Sequence, residues 1–264
     1  MEKVEIEEII DLAKKAGGKI LEIYAEDFSV GEKSDQSPIT KADLASEKII
    51  VKNLQKYGIP ILSEETADDK ERLKSDYVWL VDPLDGTADF IQKTGEFSVM
   101  IGLVEKGQPI WGVIFEPVSG KCYFAEKDGG AYGEKEGRQE KLSVSPENDL
   151  TDFRMSISRN HLLPEEIRIF GELRMKKKIT MGSAGLKLCR IASGESEVYI
   201  NSSDRTSEWD TCAGLIILQE AGGKVTDMEG NALTYNNENT KHRKGYVASN
   251  GTNHDEIIDA LKKL

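Results

Sequence analysis

Cysteine is scarce in this chain. Cys122, Cys189 and Cys212 are an odd number at unrelated spacings, and no CxxC pair occurs. That excludes a disulfide framework and a thiolate zinc site, and it reads as three reduced, buried thiols in a cytosolic protein. Histidine is as rare. His161, His242 and His254 show no zinc spacing, and a structural or surface histidine is the ordinary reading of each. No apolar stretch approaches the roughly 20 residues needed to span a membrane. No basic n-region and apolar h-region mark a secretory leader. Positive charge is also short: 35 Lys and Arg stand against 47 Asp and Glu, for a net charge of −12, with no basic cluster beyond Lys176, Lys177 and Lys178. A nucleic-acid groove is therefore not expected. No GxSxG elbow occurs and no GxGxxG follows a strand-like run, which removes the serine-hydrolase and dinucleotide-binding readings.

What the chain does have is carboxylate at the ends of apolar runs. Tyr77 to Val81 reads as a buried strand and runs into Asp82-Pro83-Leu84-Asp85-Gly86-Thr87. Pro83 fixes its own φ and bends the chain. The bend can gather Asp82, the Leu84 carbonyl and Asp85 around one point. Three hard oxygens with no His or Cys nearby suit Mg²⁺ or Mn²⁺ rather than zinc. Gly86 and Thr87 look like a helix start, whose free N–H groups favour a phosphate. A bare DxxD is more often a strand followed by an Asx-type turn.

Three other segments change that balance. Ile59 to Leu62, a short buried strand, leads into Ser63-Glu64-Glu65. In Ser37-Pro38-Ile39-Thr40-Lys41-Ala42-Asp43, Thr40 and Asp43 are spaced as N-cap and N3 of a capping box. Glu208-Trp209-Asp210 precedes an apolar helix from Thr211 to Ala221, where Asp210 could serve only the helix dipole. Each is ordinary alone.

Periodicity along the chain indicates mixed α and β structure. Ile6, Ile9, Ile10, Ala13, Ala16, Ile20 and Tyr24 mark an opening helix. A second helix starts near Thr40 and carries Leu44, Ile49, Ile50 and Leu54. Phe97 to Val104, Ile110 to Phe115 and Cys122 to Phe124 read as an antiparallel meander, with turns at 128–130 and 134–137. Polar residues 144–152 are the best boundary, dividing the chain into 1–150 and 151–264. Beyond it, strands near 153–157, 179, 198–200, 224–225 and 245–248 alternate with helices near 164–175, 184–192, 211–221 and 253–263.

The motifs SPITKAD, SEE, WLVDPLDGT and WDTCAG occur in the order and spacing of the lithium-sensitive, magnesium-dependent phosphomonoesterases. The chain resembles that superfamily, which holds inositol monophosphatases, fructose bisphosphatases and 3'(2'),5'-bisphosphate nucleotidases, from about residue 5 to about 250. LSEE, GEFSV, SISRNH, GSAGLKLC and TSEWDTCAG make it most like the bisphosphate nucleotidases of the CysQ type. The resemblance implies an α+β and α/β fold, the five-layered αβαβα sandwich of the inositol monophosphatase type. It implies an N-terminal α+β domain carrying most metal ligands, a C-terminal α/β domain carrying Asp210, and a site where they meet.

The resemblance implies the site as well. Glu64, Asp82 and the Leu84 carbonyl hold a first metal; Asp82, Asp85 and Asp210 hold a second. Two or three Mg²⁺ ions are expected, with Mn²⁺ as substitute. Cations of this kind neutralise a dianionic phosphate, lower the pKa of a bound water and stabilise the leaving oxygen. Thr87 holds the water by its hydroxyl, with Asp43 or Glu64 as proton acceptor, since a threonine hydroxyl alone is too weak a base. Gly86 and Thr87 N–H groups contact phosphate oxygens, and Asp210 also borders the substrate. His161, Ser183 and Lys187 hold a phosphate that does not react. Two departures bear on the substrate: Ala88 stands where a basic residue often follows DGT, and Tyr199 to Arg205 replaces an Arg-containing segment between the tyrosine strand and WD, with Arg205 several residues later; GSAG is also nearer the inositol-phosphatase form. The expected reaction is hydrolysis of adenosine 3'(2'),5'-bisphosphate to AMP and phosphate, within sulfur metabolism. The alternatives are an inositol-1-phosphate or fructose-1,6-bisphosphate phosphatase, and a phosphate- or nucleotide-sensing module without turnover. The expected partner is a small phosphorylated molecule, and a homodimer is left open.

Overall fold

Val78 and Leu80 point to one side of a strand, Trp79 and Val81 to the other, and all four are buried. A strand covered on both faces reads as an unbroken apolar run rather than an alternation, which is why this segment stands out in the sequence. The computed structural model describes residues 4–26, 28–32 and 38–263, so Ser37 of SPITKAD lies outside the described residues.

Helix α1 (Ile6–Tyr24) is followed by a short hairpin, β1 (Val30–Glu32) with β2 (Pro38–Thr40), then α2 (Lys41–Leu54). Next come β3 (Ile61–Ser63), β4 (Tyr77–Asp85), α3 (Thr87–Ile91), β5 (Ser98–Glu105), β6 (Gln108–Glu116), β7 (Lys121–Glu126), β8 (Gly130–Lys135) and β9 (Arg138–Lys141). Strands β3 to β9 form one seven-stranded sheet in sequence order. Only the β3–β4 pair is parallel; the rest is a meander. The remainder is β10 (Arg154–Ser158), α4 (Pro164–Glu172), β11 (Lys177–Met181), α5 (Ala184–Ala192), β12 (Val198–Asn201), α6 (Cys212–Glu220), β13 (Lys224–Thr226), β14 (Tyr246–Ser249) and α7 (His254–Leu261). Its five strands make a second sheet in the order β11-β10-β12-β14-β13, parallel around β10 and antiparallel around β14.

These elements stack as five layers. Ile9, Ala13, Ala16 and Ile20 of α1 and Ile50 and Leu54 of α2 cover the Trp79, Val81 and Ile101 face of the larger sheet. Leu186 and Leu188 of α5 and Leu215 and Ile216 of α6 cover its Leu80, Met100 and Ile114 face. The same two helices reach the smaller sheet, which is closed outside by Ile169 of α4 and Ile257 and Ile258 of α7. Helix α6 lies between two sheets and is buried from Cys212 to Leu218. A helix apolar all round belongs in such a middle layer. Two glycines let it approach: a Cβ on Gly112 would lie 2.4 Å from the Ala213 carbonyl, and one on Gly102 would lie 2.5 Å from the Cys212 sulfur.

The expected αβαβα sandwich is present. Three local expectations change. Strands β8 and β9 continue the meander where the sequence reads as turns alone: the glycines and charges of Gly-Ala-Tyr-Gly-Glu-Lys hide β8, and the exposed edge strand Arg-Gln-Glu-Lys carries no apolar alternation. Leu44 is 51% exposed and lies outside the α2 core stripe. The β1–β2 hairpin, with every β1 residue exposed, gave no sequence signal either. All three cysteines are buried thiols. His242 and His254 are structural, bonded to Thr211 and to Thr226 and Ser249.

Candidate active site

Strand β4 does not stop at Val81. It runs on to Asp85 against β5, with a register shift between Asp82 and Asp85 that takes up Pro83 and Leu84 as a bulge. Proline is tolerated in a sheet at such an irregularity because it has no N–H to leave unpaired. The bulge turns successive groups toward the same region. The Leu84 N–H donates to Asp82 Oδ1 at 3.0 Å, and Ser46 of α2 donates its hydroxyl to the Pro83 carbonyl at 2.7 Å, fixing the loop on the helix layer.

Two further carboxylates are delivered to Asp82 by topology. Strand β3 pairs in parallel with β4, its Ser63 opposite Val81, so Glu64 leaves the sheet beside Asp82. Asp210 comes from the single 3₁₀ turn Glu208–Asp210 ahead of α6, where its carboxylate accepts the Ser207 N–H at 2.6 Å. One carboxylate oxygen from each of Glu64, Asp82 and Asp210 lies within 4.8 Å of the others. Asp82 is only 2% exposed. Desolvation and then the charges of Glu64, Asp85 and Asp210 push its carboxyl well above the usual range. Desolvation and Glu64 raise Asp210 to about 8, against the lowering effects of the Ser207 N–H and Lys241. Like charges so close cannot all ionise without a counter-charge. A hard divalent cation is the counter-ion this all-oxygen set fits.

Asp85 is placed differently. Its carboxylate does not share that 4.8 Å cluster but closes on the N-terminus of α5, taking N–H bonds from Ala184 (3.1 Å) and Gly185 (2.8 Å) and a hydroxyl bond from Ser183 (2.5 Å), with Ser98 Oγ 3.4 Å away. The Leu84 carbonyl accepts from Thr87 Oγ1 at 3.3 Å.

Asp43 and Thr87, far apart in sequence, meet. Thr87 Oγ1 lies 3.0 Å from Asp43 Oδ1. The other Asp43 oxygen receives the Thr40 N–H at 2.7 Å and the Thr40 hydroxyl at 2.6 Å. Asp43 thus caps α2 with one oxygen and offers the other to Thr87, so the capping-box reading and the site reading both apply. Gly86, at φ +94°, precedes α3; a Cβ there would lie 3.0 Å from the Glu96 carbonyl and 3.3 Å from the Ser183 nitrogen.

The other expected substrate residues gather around α5. Lys187 is not an exposed helix lysine but is 3% exposed. Its Nζ donates to the Gly182 and Ser183 carbonyls at 2.7 and 3.1 Å and stands 5.0 Å from the Tyr199 ring centroid. Burial lowers its pKa to about 8, opposed by the carboxylates of Asp85, Asp89, Glu166 and Glu96. His161 sits at the surface, with its N–H on Ser158 Oγ at 3.1 Å. Its pKa is lowered by desolvation and then by the charges of Lys187 and Arg205. Ser183 is 4% exposed; it is the N-cap of α5, and its hydroxyl is turned to Asp85.

Several residues here were not singled out from the sequence. Asp89, buried on α3, receives Arg159 Nε at 3.0 Å and Asn160 Nδ2 at 2.9 Å; Glu96 receives Arg159 at 2.6 Å and the Gly182 N–H at 2.7 Å. This joins the loop after DGT to SISRNH and GSAG. Gly182 is obligatory there, since a Cβ would come 2.4 Å from the Asp89 carboxyl carbon. Glu208 accepts the Asn236 and Asn237 N–H groups at 2.8 and 2.9 Å and so anchors the turn that bears Asp210. A carboxylate three residues into a helix was the available signal for Asp89; its partner lies 70 residues away.

Comparison with known proteins follows the same lines. The model of the inositol monophosphatase family matches residues 2–264. The 3'(2'),5'-bisphosphate nucleotidase CysQ of Salmonella typhimurium is 37% identical over 235 residues, covering 87% of this chain and 93% of that protein. Among solved structures, CysQ from Bacteroides thetaiotaomicron has a TM-score of 0.77 and 36% identity over 91% of this chain and 94% of its own. The IMPase of Thermotoga maritima has a TM-score of 0.83 and 26% identity over 98% and 96%.

Proposed function

The chain belongs to the inositol monophosphatase family, and from that premise we propose that it is a phosphoric monoester hydrolase acting as a 3'(2'),5'-bisphosphate nucleotidase. Similarity to the CysQ enzymes over most of both chains supports the substrate. The observation that carries the chemistry is the meeting of Glu64, Asp82 and Asp210 beside the Thr87–Asp43 pair. We read residues 1–150 and 151–264 as two domains with the site at their junction, since the two sheets divide the chain between β9 and β10.

Glu64, Asp82, the Leu84 carbonyl, Asp85 and Asp210 are the groups that would hold two or three Mg²⁺, or Mn²⁺ in their place. Such ions, when bound, activate water and neutralise charge on the phosphate and the leaving oxygen. The protein's own residues do the rest. Thr87 Oγ1 orients a water and passes its proton toward Asp43 Oδ1, already 3.0 Å away. The water oxygen bonds to phosphorus, the P–O ester bond breaks with its electron pair going to the ribose oxygen, and that oxygen takes a proton from solvent and leaves as a hydroxyl. The Gly86 and Thr87 N–H groups face the phosphate oxygens at the start of α3. Lys187 and His161 hold the second phosphate, which does not react. Lys187 uses two of its three N–H donors on the Gly182 and Ser183 carbonyls, so binding needs the third or a rotation of Nζ.

The test is phosphate release in Mg²⁺ from adenosine 3',5'-bisphosphate, inositol-1-phosphate and fructose-1,6-bisphosphate, with the nucleotide product identified. The nucleotide is expected to be the best substrate and AMP the product. Faster turnover of either sugar phosphate would move the assignment to the inositol- or fructose-phosphatase branch; the GSAG segment is nearer the inositol-phosphatase form.

A further inference from the structure

Ser183 offers one proton and two lone pairs. All three are in use. Its proton goes to Asp85 Oδ2 at 2.5 Å, and its lone pairs receive the Leu186 N–H and the Ser98 hydroxyl, both at 3.0 Å. The residue is held at φ +31°, outside the conformations a serine ordinarily adopts. Backbone strain of this kind persists only where surrounding contacts over-determine it. Here the contacts are those to Asp85: the Ser183 hydroxyl and the Ala184 and Gly185 N–H groups, while the one Ser98 proton goes to Ser183. Oδ2 takes two of the three bonds, from Ser183 and Gly185, and Oδ1 takes one, from Ala184. The carboxylate is therefore fixed in orientation, with Oδ1 the less committed oxygen.

We propose that Ser183 is a positioning residue for Asp85, setting the carboxylate that completes the metal centre, and that it does not bind substrate. The proposal rests on the family reading of Asp85 as a metal ligand. Groups that hold a ligand in place affect metal affinity itself, before any substrate arrives. A hydroxyl that bound phosphate would affect substrate KM and leave metal affinity alone.

The experiment is equilibrium binding of Mn²⁺ to metal-stripped protein without substrate, followed by electron paramagnetic resonance, for the wild type, Ser183→Gly and Ser183→Ala. Glycine adopts φ +31° freely and is nearly as good an N-cap, so Ser183→Gly separates loss of the hydroxyl from loss of the fold. Both variants are expected to bind Mn²⁺ roughly tenfold more weakly, the usual effect of removing a group that orients a metal ligand. At saturating Mg²⁺, KM for adenosine 3',5'-bisphosphate is expected to stay near the wild-type value. Wild-type Mn²⁺ affinity in both variants with a raised KM would overturn the proposal and return Ser183 to the substrate. A wild-type protein that binds no Mn²⁺ would overturn the metal centre itself, and this proposal with it.

Discussion

The two sides of the site handle charge in opposite ways. Around Asp82, carboxylates from β3, β4 and the turn before α6 face one another, and Asp82 and Asp210 are driven toward protonation. Around α5, each charge has a partner of the other sign or a hydrogen-bonding cage: Arg159 with Asp89 and Glu96, Lys187 on two carbonyls, Asp85 at a helix N-terminus. The first side is unfinished electrostatically and needs an ion from solution. The second is finished and rigid. A fold that tolerates crowded carboxylates on one side while satisfying the other spends stability where chemistry requires it.

The sharpest way to break this contrast is Asp82→Asn. Removing the central carboxylate should reduce Mg²⁺-dependent turnover to background and leave the fold intact. In EDTA the variant should melt no lower than the wild type, because one repelling charge is gone. Phosphate release above a tenth of wild type would contradict the metal assignment. Next in size is Thr87→Val, which removes the hydroxyl between water and Asp43; kcat should fall about 10²-fold, the low end for a lost proton relay, and stopped-flow phosphate release would measure it.

The electrostatic debt also predicts a pH effect in the metal-free protein. Asp82 and Asp210 have raised pKa values in the folded state, Asp210 to about 8. Their contribution is complete below the unfolded value and is lost as pH rises through the folded one. His242 and His254 act at the other end. Their folded pKa values are depressed to about 4 from 6.5, so their contribution is lost as pH falls through that window. Melting temperature in EDTA should therefore fall by several degrees as pH rises from 6.5, above which the histidines add nothing more, to about 8, and Mg²⁺ should restore the loss. A flat alkaline limb in EDTA would mean the cluster is not repulsive. The smallest effect is lithium inhibition. Li⁺ also prefers hard oxygens but carries half the charge, so millimolar LiCl should slow turnover while NaCl at equal ionic strength does much less. Identical responses to the two salts would remove the lithium expectation and leave the hydrolase reading intact.

The same contrast explains what the sequence could and could not say. Glu64, Asp82, Asp85 and Asp210 stand at the ends of apolar runs, where local pattern is enough to notice them. The meeting of Glu64, Asp82 and Asp210 depends only on β3 lying beside β4 and α6 packing on β5 and β6, while Asp85 is turned to the N-terminus of α5. The α5 side has no such signature. Lys187 occupies a helix position that reads equally well as exposed, and it is buried because α5 lies between two sheets. The role of the Ser183 hydroxyl depends on a carboxylate 98 residues away. Strand β9 leaves no sequence signal for a related reason: an exposed edge carries no apolar period.

Lys187→Ala tests the division of labour most directly. Its effect is read as the ratio of kcat/KM on adenosine 3',5'-bisphosphate to that on inositol-1-phosphate, each relative to wild type. Lys187 holds a phosphate that does not react, so it should stabilise substrate and transition state alike. The ratio should fall about tenfold, the worth of roughly one charge-assisted bond, mainly through KM for the bisphosphate. Equal losses on the two substrates would contradict the account, because they would place Lys187 with the machinery that acts on every phosphate.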